Sequence, residues 1–225
     1  GARSSSPGLD ELIAAGQVQH VVVDLSSAEG PGRLVSSALA GGPLEILVNN
    51  VGAVSPRPGG FLSVTDEQWA SSLELTFMAA VRTTRAVVPG MLEAGRGSIV
   101  TVSSVNAALP DPGVIDYSAA KAALSSFCKS LSKELAPHGI RVNTVDPGPV
   151  STDLWLGESG VAATIAAAGG GDAAEIARRQ AAAAPTGRFT RPDEVADLVV
   201  LLASDRTANV TGSGFAIDGG LKPTL

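Results

Sequence analysis

The 225-residue chain has little cysteine, few aromatic residues and no excess of positive charge. Its single cysteine excludes an internal disulfide framework and indicates a reducing compartment, so we expect a cytoplasmic protein. A net charge of −6 excludes the basic surface that nucleic-acid binding needs. The densest apolar run, Leu198–Ala203, is far shorter than the ~18 residues of a membrane span, so no membrane association is expected.

The composition indicates one core built from small aliphatic side chains, since apolar residues make up 44% of the chain and aromatic residues 4%. A chain of this length buries about 70% of its unfolded surface, which is enough for one substantial core. We therefore expect a single domain over residues 1–225. The two histidines stand apart from cysteines and carboxylate clusters, so no metal site is predicted.

Short apolar runs alternate with longer helical patterns along the chain. This alternation is typical of βαβ units, in which helices cover both faces of a parallel sheet. The apolar runs predict strands at 20–24, 45–49, 98–103, 141–145 and 214–218. Helices are predicted over 33–39, from Thr65 to about Ala94, over 117–136 and over 192–202. The expected fold class is α/β, with a doubly wound parallel sheet between two layers of helices.

The segment 153–190 is the exception to this alternation. Its central part, 157–185, is rich in alanine and glycine and has no sustained apolar stripe. That part is either a pair of marginal helices or a solvated connection. Because the segment follows the carboxyl end of a strand, where open α/β sheets bind ligands, its functional interpretation is a substrate lid.

The pair Tyr117 and Lys121 is the sharpest chemical feature. A spacing of four residues on a predicted helix places both side chains on one face, one turn apart. A nearby ammonium lowers the pKa of a tyrosine from about 10 toward neutrality, which a proton donor or acceptor at pH 7 requires. The alternative is a surface lysine beside an amphipathic tyrosine. Because the chain has only four lysines and one tyrosine, this spacing seldom arises by chance.

Ser104 lies 13 residues before Tyr117, at the carboxyl end of the third predicted strand. A hydroxyl there can hydrogen-bond a substrate carbonyl oxygen beside the tyrosine. The alternative is that Ser103 and Ser104 merely end a strand. The turns 49–52 and 147–150 follow other strands at the same edge of the sheet, where glycines let the backbone approach a flat ligand closely.

In this order and at these spacings, the motifs resemble those of the short-chain dehydrogenase/reductase (SDR) family. The matching elements, which run through nearly the whole chain, are Asp24-Leu25, Asn49-Asn50-Val51-Gly52, Ser104, Tyr117, Lys121, Asn143, Pro147-Gly148, Thr152 and Thr211–Gly220. The resemblance implies a Rossmann-type sheet. It also implies an NAD(P)-dependent oxidoreductase that interconverts a secondary alcohol and a ketone by hydride transfer.

The resemblance further implies a role for each matching residue. Tyr117 would be the general acid/base, Lys121 would hold the nicotinamide ribose and depress the pKa of Tyr117, and Ser104 would position the substrate oxygen. The cofactor is NADP or NAD. Besides Tyr117 and Lys121, the residues expected to contact it are Asp24 and Leu25 at the adenine, Asn50 and Gly52 on the adenosine side, and Pro147, Gly148, Val150 and Thr152 at the nicotinamide end.

Thr76 departs from the family pattern. The family usually has an asparagine seven residues after a tryptophan on the long helix, and counting from Trp69 gives Thr76. That asparagine belongs to a proton relay through a water molecule and the lysine. Threonine has a hydroxyl but no amide and is stiffened by β-branching. We therefore expect Thr76 to weaken or reroute the relay and to slow turnover rather than abolish it.

The second departure is at the beginning of the chain. The family begins with a strand, a Gly-rich turn that holds the cofactor pyrophosphate, a helix and a second strand, and this chain enters where that second strand lies. Either the molecule has residues before Gly1, or the protein is truncated and does not bind the cofactor. The intact remaining motifs favour the first interpretation. If Ala2 and Arg3 end the second strand, Arg3 can meet a 2′-phosphate, which favours NADP.

Two other functions compete with the dehydrogenase. A catalytically silent Rossmann-like binding or regulatory protein is favoured by the missing Gly-rich turn and by Thr76, whereas Ser104, Tyr117 and Lys121 favour the enzyme. Lyase or epimerase chemistry with the same tyrosine is the second alternative. The expected partners are a small-molecule alcohol or carbonyl substrate and, by analogy with relatives, further copies of the chain in a homodimer or homotetramer.

Overall fold

The computed structural model describes residues 1–223, and its helices and strands alternate along the chain. In this range the strands are β1 Ile46–Asn49, β2 Gly97–Val102, β3 Ile140–Pro147 and β4 Gly214–Ile217. The α-helices are α1 Pro7–Ala14, α2 Gly30–Leu39, α3 Asp66–Leu73, α4 Ala79–Ala94, α5 Ile115–Leu135, α6 Asp153–Leu156, α7 Val161–Gly169, α8 Ala173–Ala183 and α9 Pro192–Ala203.

The four strands form one parallel sheet in the order β1-β2-β3-β4. The register places Asn49 beside Thr101 and Val102 beside Val145. Because parallel strands end at the same edge, the residues that follow β1, β2 and β3 lie next to one another. This edge is where ligands of open α/β sheets bind.

Helices cover both faces of the sheet. On one face α2, α4 and α5 pack against the strands, with Met91 and Leu124 in one cluster with Ile99. On the other face α9 packs against the sheet, and its Leu202 is buried in a cluster with Val100. The predicted three-layer doubly wound α/β fold is therefore confirmed.

The long helix predicted from Thr65 to about Ala94 contains a local distortion. It begins with a capping box, in which Gln68 N donates to Thr65 Oγ1 (3.3 Å) and Thr65 N donates to Gln68 Oε1 (3.0 Å). A π-helical turn, Glu74–Met78, then separates α3 from α4. The helix ends at Gly95, whose φ of +64° suits glycine. The π turn places Thr76 in the interior.

The strand predicted at 20–24 is wrong. Only Val22 pairs, through an isolated parallel bridge to Ala2 that two backbone hydrogen bonds of 3.2 and 3.0 Å hold in place. The segment around Ala2 is short because Ser6 caps helix α1 and Pro7 is the first residue of that helix. The chain therefore leaves Val22 after a single bridge. An apolar run becomes a strand only where a partner of similar length lies beside it. Helix α1 buries none of its residues, and its short apolar stripe of Leu9, Leu12 and Ile13 was not predicted as a helix.

The Ala- and Gly-rich part of segment 153–190 forms two helices, α7 and α8, rather than a solvated connection. Helix α7 begins after Gly160 and buries Val161, Ala162 and Ala166. A glycine with φ of +69°, Gly170, ends it. Helix α7 therefore has defined ends although its sequence has a weak apolar pattern.

The Asn143 side chain of β3 forms hydrogen bonds with the backbone of the loop that precedes β4. It is 1% exposed, its Nδ2 donates to the carbonyl oxygen of Val210 (2.8 Å), and its Oδ1 accepts from the amide of Ser213 (3.2 Å). Asn143→Leu leaves both backbone groups unpaired in the interior, so we expect the free energy of unfolding to fall by about 2–3 kcal/mol. Urea denaturation measures this loss.

Asn209→Leu is the matched control, because Asn209 is exposed in the same loop. We expect that variant to change stability by no more than about 0.5 kcal/mol. Equal losses in the two variants would contradict a fastening role for Asn143.

Candidate active site

One large cavity, about 1080 Å³ in volume, lies at the carboxyl edge of the sheet. It is bounded by the segments that follow β1, β2 and β3 and by helices α5, α6, α7 and α9. The sequence-predicted residues that line it are Asn50, Gly52, Ser104, Tyr117, Lys121, Pro147, Gly148, Val150 and Thr152. Residues up to 102 positions apart in the sequence thus meet at one site.

Helix α5 carries the tyrosine and the lysine into this cavity. The ammonium of Lys121 lies 5.7 Å from the centre of the Tyr117 ring. Lys121 is 3% exposed, and its Nζ donates to the carbonyl oxygen of Val102 (2.8 Å), the last residue of β2. The lysine therefore connects the tyrosine-bearing helix to the end of the central strand.

Burial sets the direction of both pKa shifts in this pair. It raises the pKa of Tyr117, and hydrogen bonding with the Ser104 hydroxyl offsets part of that effect. Burial lowers the pKa of Lys121 to about 8, against the opposing charge of Asp146. Burial outweighs this hydrogen bond, so the phenol is favoured over the phenolate, and the lowering of the tyrosine pKa by the ammonium stays a prediction.

Ser104 and Ser103 point to different surroundings. Ser104 Oγ accepts from the amide of Asn106 (3.2 Å) and so caps the short turn after β2, beside Tyr117. Ser103 Oγ instead lies 2.7 Å from Ser125 Oγ on α5. Of the two hydroxyls, that of Ser104 is the one that lowers the pKa of the tyrosine.

Thr76 lies behind the lysine rather than in the large cavity. It is 1% exposed, and its buried Oγ1 has no hydrogen-bond partner among the described residues. A Cβ on Gly52 would lie 3.9 Å from Thr76 Cγ2 and 3.4 Å from Lys121 Nζ, so Gly52 separates the two side chains. Thr76 lines a second, polar cavity of about 350 Å³, which also contains Glu67, Gln68, Ser71, Ser72 and Asp116.

Asp24 and Leu25 lie away from the large cavity. The carboxylate of Asp24 accepts hydrogen bonds from the amide (2.9 Å) and hydroxyl (2.7 Å) of Ser26, which lower its pKa. Leu25 is buried in a small cluster with Val23 and Ala79. The structure therefore does not bring these two residues together with the other predicted site residues.

Sequence reasoning missed several residues at the site. Arg57 lines both cavities and forms an ion pair with Asp116, the residue before the tyrosine. Other cavity residues that were not predicted are Asn106, Leu109, Trp155, Ile165 and Gln180. Arg57 lies in an irregular Pro/Gly loop without periodicity, and only its position between Pro56 and Pro58 marks it as conformationally restricted.

The cavity fits a nicotinamide cofactor at the end that the described residues form. A Cβ on Gly52 would lie 3.4 Å from Lys121 Nζ and one on Gly148 3.0 Å from the Asp218 backbone, so both glycines allow the close packing that shapes this end of the cavity. Lys121 uses one donor on Val102, so its ammonium retains donors for hydroxyl groups. The cavity volume suits a ligand larger than a typical drug molecule.

Two further features are absent from residues 1–223. No group of three or more histidine, cysteine, aspartate or glutamate side chains is arranged to hold a metal ion. In the same range no helix has the length and apolar character to cross a membrane.

Comparisons with known proteins agree with this geometry. A sequence model of a family described as enoyl-(acyl carrier protein) reductase matches residues 2–222. The 3-oxoacyl-(acyl-carrier-protein) reductase FabG of Thermotoga maritima is 33% identical over 224 residues, which cover 96% of this chain and 84% of that protein. Human dehydrogenase/reductase SDR family member 4 is 34% identical over 95% of this chain and 71% of its own length.

A solved structure extends the likeness to three dimensions. L-Sorbose reductase from Gluconobacter frateurii, complexed with NADPH and L-sorbose, superimposes with a TM-score of 0.87 at 35% identity, covering 100% of this chain and 86% of that one. Fold, family motifs and sequence identity agree over nearly the whole chain. The chain therefore belongs to the short-chain dehydrogenase/reductase family, and it is an NAD(P)-dependent oxidoreductase that interconverts alcohols and carbonyl compounds.

Proposed function

We propose that the protein reduces an uncharged, largely apolar ketone with NADPH and that Tyr117 is the proton donor. The observation that carries this proposal is the meeting of Ser104, Tyr117 and Lys121 in one cavity at the carboxyl edge of the sheet. A hydroxyl donor, a phenol and a buried ammonium are the groups that a developing alkoxide needs.

Each of these side chains has a distinct role in the proposal. When bound, the reduced nicotinamide supplies the hydride. The Tyr117 hydroxyl donates a proton to the substrate oxygen, and Ser104 Oγ donates a hydrogen bond to the same atom. The raised pKa of Tyr117 keeps the phenol protonated at neutral pH, which is the form that reduction requires. The Lys121 ammonium holds the ribose hydroxyls and stabilises the phenolate that the reaction leaves.

We assign the cofactor contacts to the residues expected from the family motifs. Asn50 and Gly52 are assigned to the adenosine side and Pro147, Gly148, Val150 and Thr152 to the nicotinamide end, and all six line the cavity. Asp24 is assigned to the adenine end, where its carboxylate is already held by Ser26. Leu25 is assigned there as well, through its backbone, because its side chain is buried.

Two observations support NADPH over NADH. Arg3 lies close enough to Asp24 for its charge to lower the pKa of that carboxyl, at the end of the sheet where the adenosine would lie. A guanidinium in this place suits a 2′-phosphate. The G. frateurii relative, at 35% identity, was crystallised with NADPH.

The walls of the cavity support an apolar, uncharged substrate. The side chains away from the nicotinamide end are mainly apolar, among them Val54, Pro56, Pro58, Leu109, Pro110, Trp155 and Ile165. The cationic side chains that line the cavity within the described residues are Arg57 and Lys121. Arg57 is paired with Asp116 and Lys121 is assigned to the cofactor ribose, so neither cation is left to bind a carboxylate or phosphate of the substrate.

We propose that segment 153–190 is the substrate lid. Trp155, Val161, Ile165 and Gln180 of this segment line the cavity. Its two ends are held together at the rim, where Ser151 N donates to the Thr190 carbonyl (2.9 Å) and Thr190 N donates to the Pro149 carbonyl (3.0 Å). A segment anchored at both ends can move over the cavity as one unit.

We further propose a homodimer or homotetramer formed through α4 and α5, by analogy with the family. The cytoplasm is the proposed location, and the single cysteine, Cys128, supports it because its thiol is free and buried.

Thr76 is proposed to take the place of the family's asparagine in returning protons to Lys121 and Tyr117. Its buried hydroxyl lacks a protein partner and lies beside the small polar cavity, which is large enough for several water molecules. A hydroxyl that contacts water can relay a proton without an amide.

The first test is steady-state kinetics of the purified protein. We expect a higher kcat/KM for an apolar ketone than for an α-keto acid of equal size, and for NADPH than for NADH. Tyr117→Phe removes the proton donor, so kcat should fall by about 10²- to 10⁴-fold while the NADPH dissociation constant changes by less than about threefold.

Neighbouring serines supply the control for this test. Ser104→Ala should lower kcat by about 10- to 100-fold, whereas Ser103→Ala removes a hydroxyl that contacts Ser125 and should leave kcat within about threefold. Retained activity in Tyr117→Phe, or equal losses in the two serine variants, would overturn the assigned roles.

The pH dependence of reduction should follow the protonation of Lys121. Its pKa of about 8 means that the ammonium is present below pH 8 and is lost above it, whereas the raised pKa of Tyr117 keeps the phenol intact over this range. We expect kcat for reduction to be level near pH 7 and to fall above about pH 8. Lys121→Arg should remove this inflection, because an arginine stays charged. An inflection that persists in Lys121→Arg would exclude Lys121 as its source.

Matched substitutions test the hydroxyl of Thr76. Thr76→Val keeps the shape but removes the hydroxyl, so we expect kcat to fall by about tenfold, while Thr76→Ser should stay near the wild type. Thr76→Asn restores the family residue and should raise kcat. Cofactor affinity should remain constant in all three variants. Equal kcat values for the valine and serine variants would show that the hydroxyl carries no proton.

A further inference from the structure

We propose that the ion pair between Arg57 and Asp116 is a positioning clamp that orients Tyr117 and fixes the adjoining wall of the substrate cavity. The inference rests on the proposed role of Tyr117. It assigns a function to two residues that lie outside the family motifs and that the reaction itself does not use.

The ion pair is bidentate and largely removed from solvent. Arg57 Nε donates to Asp116 Oδ1 (3.2 Å) and Nη2 donates to Oδ2 (2.5 Å). The Asp116 side chain is 2% exposed and that of Arg57 is 13% exposed. Two parallel hydrogen bonds between a planar guanidinium and a carboxylate fix orientation as well as distance, which a lysine cannot do.

The pair acts on the first turn of α5, which contains both Asp116 and Tyr117. The residue that precedes the helix, Val114, offers no side-chain cap. Burial raises the pKa of Asp116, but the hydrogen bond and charge of Arg57, with the amides of Asp116 and Tyr117, hold it below the usual value. The first amides of α5, those of Asp116 and Tyr117, thus stabilise the carboxylate that Arg57 holds in place.

A second contact joins the same loop to the helix. The amide of Arg57 donates to the carbonyl oxygen of Gly113 (2.7 Å), in the short turn that leads into α5. Pro56 and Pro58 flank Arg57 and restrict the backbone on both sides. The loop therefore presents the guanidinium from a restricted backbone, so that a shift of Arg57 would move the first turn of α5.

The position of the pair between the two cavities gives it a role beyond stability. Arg57 lines the large cavity and the small polar one, and Asp116 lines the small one. The pair therefore forms part of the partition between them, with Tyr117 on one side. Removing the pair would change the angle of the tyrosine and the shape of the substrate wall together.

A double substitution separates positioning from stability. Removing one partner leaves a buried charge uncompensated and is strongly destabilising, whereas replacing both by uncharged groups of similar shape often costs little stability. Arg57→Met and Asp116→Asn should each lower the melting temperature. The double variant Arg57→Met/Asp116→Asn should regain most of it, yet its kcat should stay about 10- to 100-fold below that of the wild type.

Two further readouts distinguish positioning from a general loss of structure. The NADPH dissociation constant should remain within about threefold of the wild type in the double variant. In Arg57→Met the unpaired Asp116 should become protonated near neutral pH, adding an inflection to the kcat profile that the double variant lacks. Arg57→Lys keeps the charge without the bidentate geometry, so its kcat should lie near that of the double variant rather than the wild type.

The surface pair Arg96 and Glu45 is the matched control, since it lies at the opposite edge of the sheet and both side chains are exposed. Arg96→Met/Glu45→Gln should leave kcat unchanged. A double variant at 57 and 116 that regains wild-type kcat together with its melting temperature would overturn the clamp, and so would one that fails to regain its melting temperature. Retained activity in Tyr117→Phe would instead refute the proposed function on which the clamp rests.

Discussion

The buried hydrogen bond from Lys121 Nζ to the carbonyl oxygen of Val102 fixes the geometry on which the site depends. It joins α5 to the end of the central strand β2. Because Tyr117 is one helical turn away, this bond also holds the backbone of Tyr117 in place relative to the sheet. The parallel register then brings the turns after β1 and β3 to the same place.

Burial shifts the two pKa values at this site in opposite directions. It disfavours the phenolate of Tyr117 and the ammonium of Lys121, so the tyrosine pKa rises while the lysine pKa falls to about 8. A protonated phenol beside a charged lysine is the resulting state at neutral pH. In the proposed mechanism this state is ready to donate a proton, which favours the direction of carbonyl reduction.

Apolar runs predicted the four strands of the sheet, and the motifs shared with the family predicted nine of the residues that line the cavity. The π turn around Thr76 has no local signature, and the strand at 20–24 failed because pairing length is decided by the segment near Ala2. The Arg57–Asp116 pair joins residues 59 positions apart in the sequence. Such a contact follows from the packing of a loop against a helix, which no local pattern contains.

The charges around the cavity are arranged so that each cation has a fixed partner. Lys121 faces the Val102 carbonyl and Arg57 faces Asp116. Apolar walls bind an uncharged substrate by shape and burial rather than by ionic contacts. In such surroundings a hydrogen bond to the reacting oxygen is stronger than in water. The same burial that shifts the pKa values of Tyr117 and Lys121 therefore also strengthens the interactions by which Ser104 and Tyr117 would act on a carbonyl group.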